Sequence, residues 1–353
     1  MRSLTGGVAH VASVIEEDLE DRDTGLQKPH IKGLADLCAT ALASRSSNTA
    51  EWVALVPRTD VEEKSRERYI SRFLANKLIC CVSVMGGFIP ELMEMAGSNG
   101  KTIILSLDQS KISDGFECLM LSLRVGERAI PVVWRVVETS GAIGFDVQER
   151  LLEDAKKMIP DGLSILLAAD RFYGTSALIN WCQKEGWQYR IRLKGNLIFQ
   201  HEGAEITASQ AFDMKMTALE NAIFNKTMIA TNIGILYESG HKEPWFISMD
   251  CKPSKYKILD YGMRWGIECL FSDFKSRGFG ITKTRLKQAT RIERLILILT
   301  IALYWAVSTG MKPRGLGGTK KTVQILDIFI QTRPALHPQC SSLPRIYPYP
   351  LEF

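Results

Sequence analysis

Residues 105–136 read LSLDQSKISDGFECLMLSLRVGERAIPVVWRV, three β-type runs separated by short polar turns. The pattern predicts strands over residues 102–107, 117–125 and 129–137, the first of which leads into Asp108. Gly126 begins the second of the two turns, and connections this short join antiparallel neighbours. The stretch therefore predicts a three-stranded antiparallel meander.

Downstream of the meander, helices and strands alternate. The predicted helices cover residues 146–158 and 176–185, the second closed by Gly186, and the predicted strands cover 163–169 and 187–193. Asp170 directly follows the first of these strands. The order β-β-β-α-β-α-β predicts an RNase H-like α/β fold, a mixed sheet flanked by helices. In such a sheet the strands that lead into Asp108 and Asp170 lie side by side.

The remaining patterns divide the chain into regions. The predicted boundaries are 1–98 for an N-terminal helical region, 99–195 and 251–310 for the RNase H-like core, 196–250 for a small β insertion, and 311–353 for a partly irregular tail. Strands are predicted over 224–237 and 245–249 of the insertion, and a helix over 323–331 of the tail. A long basic helix over 62–84 fits either contact with DNA ends or a helical cap with a charged exterior.

Positive charge is concentrated in one segment. Residues 255–294 carry ten Lys or Arg and four acidic residues, a net charge of +6, whereas the whole chain carries +5. A local basic strip indicates a nucleic acid or another polyanion as partner. A solvated helix face is the plainer alternative, and charge alone does not separate the two.

Cysteine spacing and hydropathy favour a cytosolic protein. The eight cysteines form no CxxC pair and no cluster with histidine at zinc-binding spacing, so we interpret them as reduced core residues. We expect no signal peptide, because polar and acidic residues follow the N-terminus. The longest apolar run, residues 295–307, is shorter than the roughly 20 residues that a membrane span needs. We interpret that run as part of a buried helix over 290–308.

The segment YGMRWGIECLFSDFK, residues 261–275, has an unusual charge pattern for a helix. A single α-helix would place five of its residues on one face at spacings of three or four: Tyr261, Arg264, Glu268, Phe271 and Lys275. That face presents a phenol, two cations and one carboxylate, whereas other faces carry the apolar residues that can bury. Such a row suits a phosphodiester held near a metal ion.

Three carboxylates are candidates for one site: Asp108, Asp170 and Glu268. Each has an ordinary explanation, because an Asp after a strand often forms a turn, Arg171 could pair with Asp170, and Arg264 could pair with Glu268. If the three converge, they repel one another unless cations occupy the site. Two divalent ions about 4 Å apart can activate a water or 3′-hydroxyl and stabilise the leaving oxygen. Mg²⁺ suits such oxygen ligands.

Three segments resemble DDE transposases of the IS4 type. They are residues 105–136, quoted above, residues 166–196, LLAADRFYGTSALINWCQKEGWQYRIRLKGN, and residues 261–279, YGMRWGIECLFSDFKSRGF. The last matches the family signature Y-x2-R-x3-E-x6-K at every position, through Tyr261, Arg264, Glu268 and Lys275. The resemblance covers about residues 60–310.

This resemblance implies cut-and-paste transposition by an RNase H-like core that a β insertion interrupts. The implied catalytic residues and ligands of two Mg²⁺ ions are Asp108, Asp170 and Glu268, with Mn²⁺ as a substitute. The implied contacts to phosphates near the cleaved DNA end are Tyr261, Arg264 and Lys275. The implied partners are double-stranded DNA, as terminal inverted repeats and target, and a second copy of the chain in a synaptic homodimer. A cytoplasmic, nucleoid-associated bacterial protein that avoids membranes is expected.

Weaker candidates and two other functions stay open. Arg171 could hold the DNA backbone or neutralise the acids, and Lys194 could reach DNA or be an ordinary exposed charge. Trp245 could stack on an unpaired base, although a core role is the commoner one. The same fold could instead serve a metal-dependent nuclease without strand transfer, or a DNA-binding protein derived from a transposase.

Overall fold

A computed structural model describes residues 2–97, 102–213, 216–238 and 242–311. Two compact units divide the chain, residues 1–303 and 304–353, and the described part of the second unit is the end of one helix. The helices are α1 (Arg2–Glu20), α2 (Lys28–Ser44), α3 (Thr49–Trp52), α4 (Glu63–Ala75), α5 (Cys81–Gly86), α6 (Ile89–Gly97), α7 (Phe145–Met158), α8 (Ser176–Glu185), α9 (Ala208–Ala211), α10 (Lys255–Leu259), α11 (Gly266–Phe274) and α12 (Ala289–Met311).

One sheet contains all the strands of the described residues. They are β1 (Ile103–Ser113), β2 (Phe116–Val125), β3 (Arg128–Glu138), β4 (Ile165–Ala169), β5 (Gln188–Arg192), β6 (Ile198–His201), β7 (Ala204–Thr207), β8 (Met216–Phe224), β9 (Ala230–Leu236) and β10 (Trp245–Met249). Their order across the sheet is β3-β2-β1-β4-β5-β10-β9-β8-β6-β7. Only β4 pairs in parallel, with β1 on one side and β5 on the other. The fold is therefore mixed α/β with a large, mostly antiparallel sheet.

The meander is confirmed, but its first strand is longer than predicted. β1 runs past Asp108 to Ser113, because the residues after Asp108 stay paired with β2. Lys111 lies opposite Glu117 there, and opposite charges on facing positions stabilise antiparallel strands. The chain turns at Gly115, whose φ of 81° suits a residue without a side chain. Asp108 therefore projects from the middle of a strand and not from its end.

The predicted strand that leads into Asp170 is confirmed as β4, and its pairing positions the two aspartates. Leu107 of β1 pairs with Ala169 of β4 in parallel register. Asp108 and Asp170 are the next residues of these chains, so they occupy adjacent positions at the C-terminal end of the parallel pair. The helix after Asp170 is also confirmed, since Gly186 ends α8 at a φ of 68°.

The strands of residues 196–250 continue the central sheet, because β10 pairs with β5. One predicted strand, over 224–237, is wrong at its start. Phe224 ends β8, and β9 begins only at Ala230. Between them the polar residues 225–227 turn the chain, and Met228 adopts a left-handed φ of 58°. The turn is closed by a hydrogen bond from the Phe224 N–H to the Ile229 carbonyl oxygen at 2.9 Å.

The predicted long helix over 62–84 is also wrong. α4 ends at Ala75, Asn76 is extended, and α5 begins at Cys81. The Asn76 side chain accepts a hydrogen bond from the Leu78 N–H at 3.0 Å, a local bond that competes with helix continuation. Cys80, in this break, is exposed and not a core residue. The helix predicted over 290–308 is confirmed as α12, and the one over 323–331 lies outside the described residues.

No helix in the described part of the chain combines the length and apolar character needed to cross a membrane.

Candidate active site

Backbone amides hold the carboxylates of Asp108 and Asp170 at the end of the parallel pair. Asp108 Oδ1 accepts a hydrogen bond from the Gln109 N–H at 2.8 Å. Asp170 caps a 3₁₀ turn, Arg171–Tyr173, and its Oδ1 accepts from the Arg171 N–H at 2.5 Å. Both side chains are thereby oriented by their own local backbone.

Gly174 allows this 3₁₀ turn to lie directly on β5. A Cβ atom at position 174 would lie 2.5 Å from the carbonyl oxygen of Arg192, well inside van der Waals contact. Any residue with a side chain would therefore push the turn away from the sheet. The close packing of this turn positions Arg171, at its start, beside Asp170.

The segment over 261–275 is not the single α-helix that its spacing predicts. A 3₁₀ helix, Asp260–Trp265, leads into the shorter α11. Gly262 and Gly266 each make an α-helix less stable by about 1 kcal/mol relative to Ala. Gly266 also brings α11 close to β3, since a Cβ there would lie 3.2 Å from the Arg128 carbonyl oxygen. At the other end, Asp260 Oδ2 lies 3.6 Å from the guanidinium of Arg190, which is 1% exposed.

Arg264 joins two of the three candidate carboxylates. Its Nη1 lies 2.8 Å from Asp108 Oδ2, and its Nη2 lies 2.8 Å from Glu268 Oε1. The Arg264 side chain is only 10% exposed. The charged row of residues 261–275 therefore faces the sheet, and Glu268 reaches the same cation as Asp108.

Tyr261, the first residue of this row, packs against Trp245 of β10. Tyr261 is buried, and its ring contacts that of Trp245 edge-on at a centroid distance of 5.3 Å. Tyr261 belongs to a buried cluster that includes Ile258 and Leu259 of α10, and the partly buried Trp245 packs against this cluster. A core role for Trp245 is thus supported, and its ring helps to hold the 3₁₀ helix in place.

The Asp108 carboxyl has a pKa raised to about 6. Burial is the main cause, and the charges of Glu268 and Asp170 raise the pKa further, whereas Arg264 and the Gln109 N–H lower it. Repulsion from Glu268 and Asp170 thus reaches Asp108 even though Arg264 offsets part of it. Asp108 is fully ionised only at neutral pH and above.

The three carboxylates are of the ligand type that binds a divalent cation, and Arg264 takes the place of one in this conformation. Carboxylate oxygens are the ligands that Mg²⁺ prefers, and the excess negative charge felt at Asp108 is what such a cation would offset. Arg264 occupies one oxygen each of Asp108 and Glu268 in this conformation. Within the described ranges, no three His, Cys, Asp or Glu side chains come close enough together to hold a metal ion.

A second charged group, which we call the arginine cleft, lies beyond Asp170. It contains Arg171, Arg192, Lys194 and Glu243 and lines an open cleft of about 520 Å³. Glu243 Oε1 accepts from Arg171 Nη1 at 3.2 Å and from Arg192 Nη2 at 2.7 Å. The Lys194 ammonium lies 5.9 Å from the centre of the exposed Phe172 ring. Two of the weaker sequence candidates, Arg171 and Lys194, therefore share one surface.

Lys275 lies on the other side of the site. Its ammonium donates a hydrogen bond to Ser110 Oγ on β1, two residues beyond Asp108. The structure therefore brings the signature residues Arg264, Glu268 and Lys275 to β1. No sequence pattern indicates a role for Glu243, which is 51 residues from Arg192 in the chain.

Residues 145–305 match the family model of the transposase DDE domain, a range that includes Asp170 and Glu268 and begins after Asp108. No curated protein matches the chain. Among solved structures, Marinitoga piezophila Argonaute in complex with 5′ OH guide RNA and target DNA is 11% identical, with a TM-score of 0.25. That alignment covers 76% of this chain and 39% of the Argonaute chain, and a likeness this weak carries no argument. Over residues 145–305, the chain is therefore similar to the DDE domain of transposases.

Proposed function

We propose that the protein is an IS4-type DDE transposase that cleaves DNA at the ends of an insertion sequence and joins those ends to target DNA. The observation that carries this proposal is that Arg264 binds both Asp108 and Glu268 while parallel pairing puts Asp170 beside Asp108. Two carboxylates from distant parts of the chain therefore share one cation, and the third follows the neighbouring strand position. The match to the transposase DDE domain supports the same interpretation.

The order β3-β2-β1-β4-β5, with β4 parallel to its neighbours, supports an RNase H-like core. In this proposal the core comprises residues 99–195 and 251–310. Residues 196–250 form a β insertion that extends the sheet, and residues 1–98 form a helical region available to contact DNA ends.

In the proposed reaction, Asp108, Asp170 and Glu268 hold two Mg²⁺ ions, for which Mn²⁺ can substitute. These ions supply activation of the attacking oxygen and stabilisation of the leaving oxygen. Asp108 must be ionised for this role, and burial raises the pKa of its carboxyl, so cation binding by the free protein should strengthen as the pH rises. Arg264, which now neutralises Asp108 and Glu268, can turn to a DNA phosphate once cations neutralise these acids.

The chemistry consists of two phosphoryl transfers in the same site, without a covalent link to the protein. Water first attacks the phosphodiester at the element end and frees a 3′-hydroxyl, which then attacks a target phosphodiester in line. Holding the attacking group and the phosphorus in line provides much of the rate enhancement. Tyr261 and Lys275 lie on either side of Arg264 along the chain, where they can hold phosphates near the cleaved end.

The proposed partners are terminal inverted repeats and target DNA, with two copies of the chain in the synaptic complex. The basic segment over 255–294 supports DNA as the partner. A cytoplasmic, nucleoid-associated location follows from this proposal.

The test is end cleavage with labelled element ends and Mg²⁺, using Asp108→Ala, Asp170→Ala and Glu268→Ala. Each substitution should reduce cleavage by at least about a thousandfold, because metal ions stabilise the transition state by several kcal/mol. Binding to the ends should persist. Asp114→Ala is the matched control, since the Asp114 side chain is 97% exposed on a turn, and it should cleave normally. Mg²⁺-dependent cleavage retained by any of the three variants would remove that residue from the site.

A second reaction separates a transposase from a nuclease of the same fold. Pre-cleaved ends are incubated with the wild-type protein, Mg²⁺ and a supercoiled target plasmid. Joined products support strand transfer. Efficient cleavage without joining would leave a metal-dependent nuclease, and absence of both would point to a DNA-binding protein.

A further inference from the structure

Tyr173 is a buried residue with an unmatched polar atom next to the proposed active site. Its side chain is 1% exposed, and within the described ranges no protein group forms a hydrogen bond with its hydroxyl oxygen. Buried polar atoms nearly always have a hydrogen-bond partner. The hydroxyl therefore needs a hydrogen-bond partner that the described residues do not provide.

The local geometry places this hydroxyl on the side of the aspartates. Tyr173 closes the 3₁₀ turn that Asp170 caps, through a hydrogen bond from its N–H to the Asp170 carbonyl oxygen at 2.8 Å. Tyr173 is thereby tied to Asp170 within one turn, and its phenol lies close enough to Asp170 and Asp108 to be affected by their charges. The parallel register then puts Asp108 beside Asp170.

The electrostatic surroundings agree with this placement. Burial raises the pKa of the Tyr173 phenol well above its usual range, and the negative charges of Asp108 and Asp170 raise it further. The phenol is therefore protonated wherever the protein is folded, and it acts as a hydrogen-bond donor.

We propose that Tyr173 is a positioning residue whose buried hydroxyl donates a hydrogen bond to a water molecule held between Asp108 and Asp170. This inference rests on the proposed function, because it assigns a role within the same site. The Asp170 Oδ2 atom has no hydrogen-bond donor among the described residues, whereas Oδ1 is used by the Arg171 N–H. A water at this place can donate to Asp170 and accept from Tyr173, which fixes its orientation.

Tyr189 on β5 provides a matched control. It is also 1% exposed, but its hydroxyl accepts from Gln183 Nε2 at 3.1 Å and shares a hydrogen bond with Thr231 Oγ1 at 3.0 Å. The two tyrosines are therefore equally buried and differ in whether the protein satisfies the hydroxyl.

The experiment compares Tyr173→Phe with Tyr189→Phe in the full chain, by thermal unfolding, Mn²⁺ affinity and end cleavage. For Tyr173→Phe we expect a Tm no lower than that of the wild type. Mn²⁺ affinity and cleavage should each fall about 10- to 100-fold, as is usual for residues that hydrogen-bond to the ligands of a metal ion. For Tyr189→Phe we expect a lower Tm with Mn²⁺ affinity and cleavage unchanged.

Two results for Tyr173→Phe would overturn the inference. One is wild-type Mn²⁺ affinity and cleavage, and the other is a lowered Tm without a change in either, which would reveal a purely structural partner. If the wild-type protein binds Mn²⁺ and cleaves ends but Tyr173→Phe matches it, the inference alone fails. If the wild-type protein does neither, the proposed function and the inference fail together.

Discussion

Two neighbouring charge clusters, one that includes Asp170 and one that includes Arg171, have opposite compositions. In the carboxylate cluster, which comprises Asp108, Asp170, Glu268 and Arg264, one guanidinium serves two carboxylates. In the arginine cleft, one carboxylate, that of Glu243, serves two guanidinium groups. The formal charges leave the first cluster two negative charges in excess and, with Lys194, the second two positive charges in excess. The first therefore suits cations and the second phosphates.

The two clusters also differ in burial, which decides how easily each rearranges. The Arg264 side chain is 10% exposed and Asp108 14%, whereas Glu243 is 53% exposed and Arg171 49%. Breaking a buried ion pair is costly, whereas an exposed pair contributes about 0–1 kcal/mol. The carboxylate cluster can therefore rearrange only when cations replace Arg264, whereas the arginine cleft can exchange Glu243 for a DNA phosphate at little cost.

The largest expected effect is the loss of the shared cation. Arg264→Met leaves Asp108 and Glu268 without their common partner, so we expect the free energy of unfolding at pH 7.5 to fall by about 3–5 kcal/mol. Urea unfolding measures it. The control is Arg150→Met, because Arg150 and its partner Asp146 are 69% and 73% exposed, and its effect should stay below about 1 kcal/mol. Equal losses in the two variants would contradict a buried, shared cation.

The next effect concerns Asp108 itself and depends on pH. The folded protein holds the Asp108 proton more tightly than the unfolded chain, since the pKa rises from 3.8 to about 6. The tighter binding of this proton stabilises the folded protein at pH 4, and that stabilisation is lost as the pH rises through about 6. Asp108→Asn lacks this dependence on pH, so at pH 8 its free energy of unfolding should exceed that of the wild type by roughly 3 kcal/mol.

Unfolding free energies of wild type and Asp108→Asn, measured from pH 4 to pH 8, give the check. The two curves should converge near pH 4 and separate progressively up to about pH 6.5. Parallel curves, or a variant that is less stable at pH 8, would show that the fold does not penalise the Asp108 charge.

The smallest effect tests the arginine cleft. Glu243→Gln frees Arg171 and Arg192, so we expect DNA to bind up to about tenfold more tightly, in keeping with one exposed and one half-buried ion pair. The dependence of log K on log salt should steepen by about 0.9 for each additional phosphate that the protein neutralises. Fluorescence anisotropy over a salt series measures both quantities.

Glu220→Gln controls for the change in net charge, because Glu220 pairs with Lys252 at an exposed position elsewhere on the sheet. We expect little change in DNA affinity for this variant. Equal tightening by both variants would mean that Glu243 acts only through net charge and that the cleft does not hold DNA.

The carboxylate cluster was easier to predict from the sequence than the arginine cleft. The strand patterns predicted that Asp108 and Asp170 follow neighbouring paired positions, and the parallel register of Leu107 with Ala169 confirms this. The length of β1 could not be predicted locally, because continuation past Asp108 depends on pairing with β2. Likewise, the turn at residues 225–228 could not be predicted, because apolar residues on both sides of it favour one continuous strand.

Other features depend on contacts between distant parts of the chain. Glu243 reaches Arg171 across 72 residues and Arg192 across 51, and no spacing rule connects them. The 3₁₀ start of the segment over 260–265 reflects Gly266 against β3 and Asp260 near Arg190. Whether the Tyr173 hydroxyl has a hydrogen-bond partner depends on all the residues that surround it in the fold. The spacing of residues in the sequence therefore cannot predict that it lacks one.

We propose that Asp108, Asp170 and Glu268 together bind a divalent cation, and cleavage of the protein by a bound iron ion tests this directly. Fe²⁺ in place of Mg²⁺, with ascorbate and peroxide, generates hydroxyl radicals that cut the protein backbone next to the bound ion. We predict cuts near residues 108, 170 and 268, suppressed by excess Mg²⁺ and lost in Asp170→Ala. Cuts elsewhere in the chain, or cuts at these places that persist in Asp170→Ala, would contradict the account.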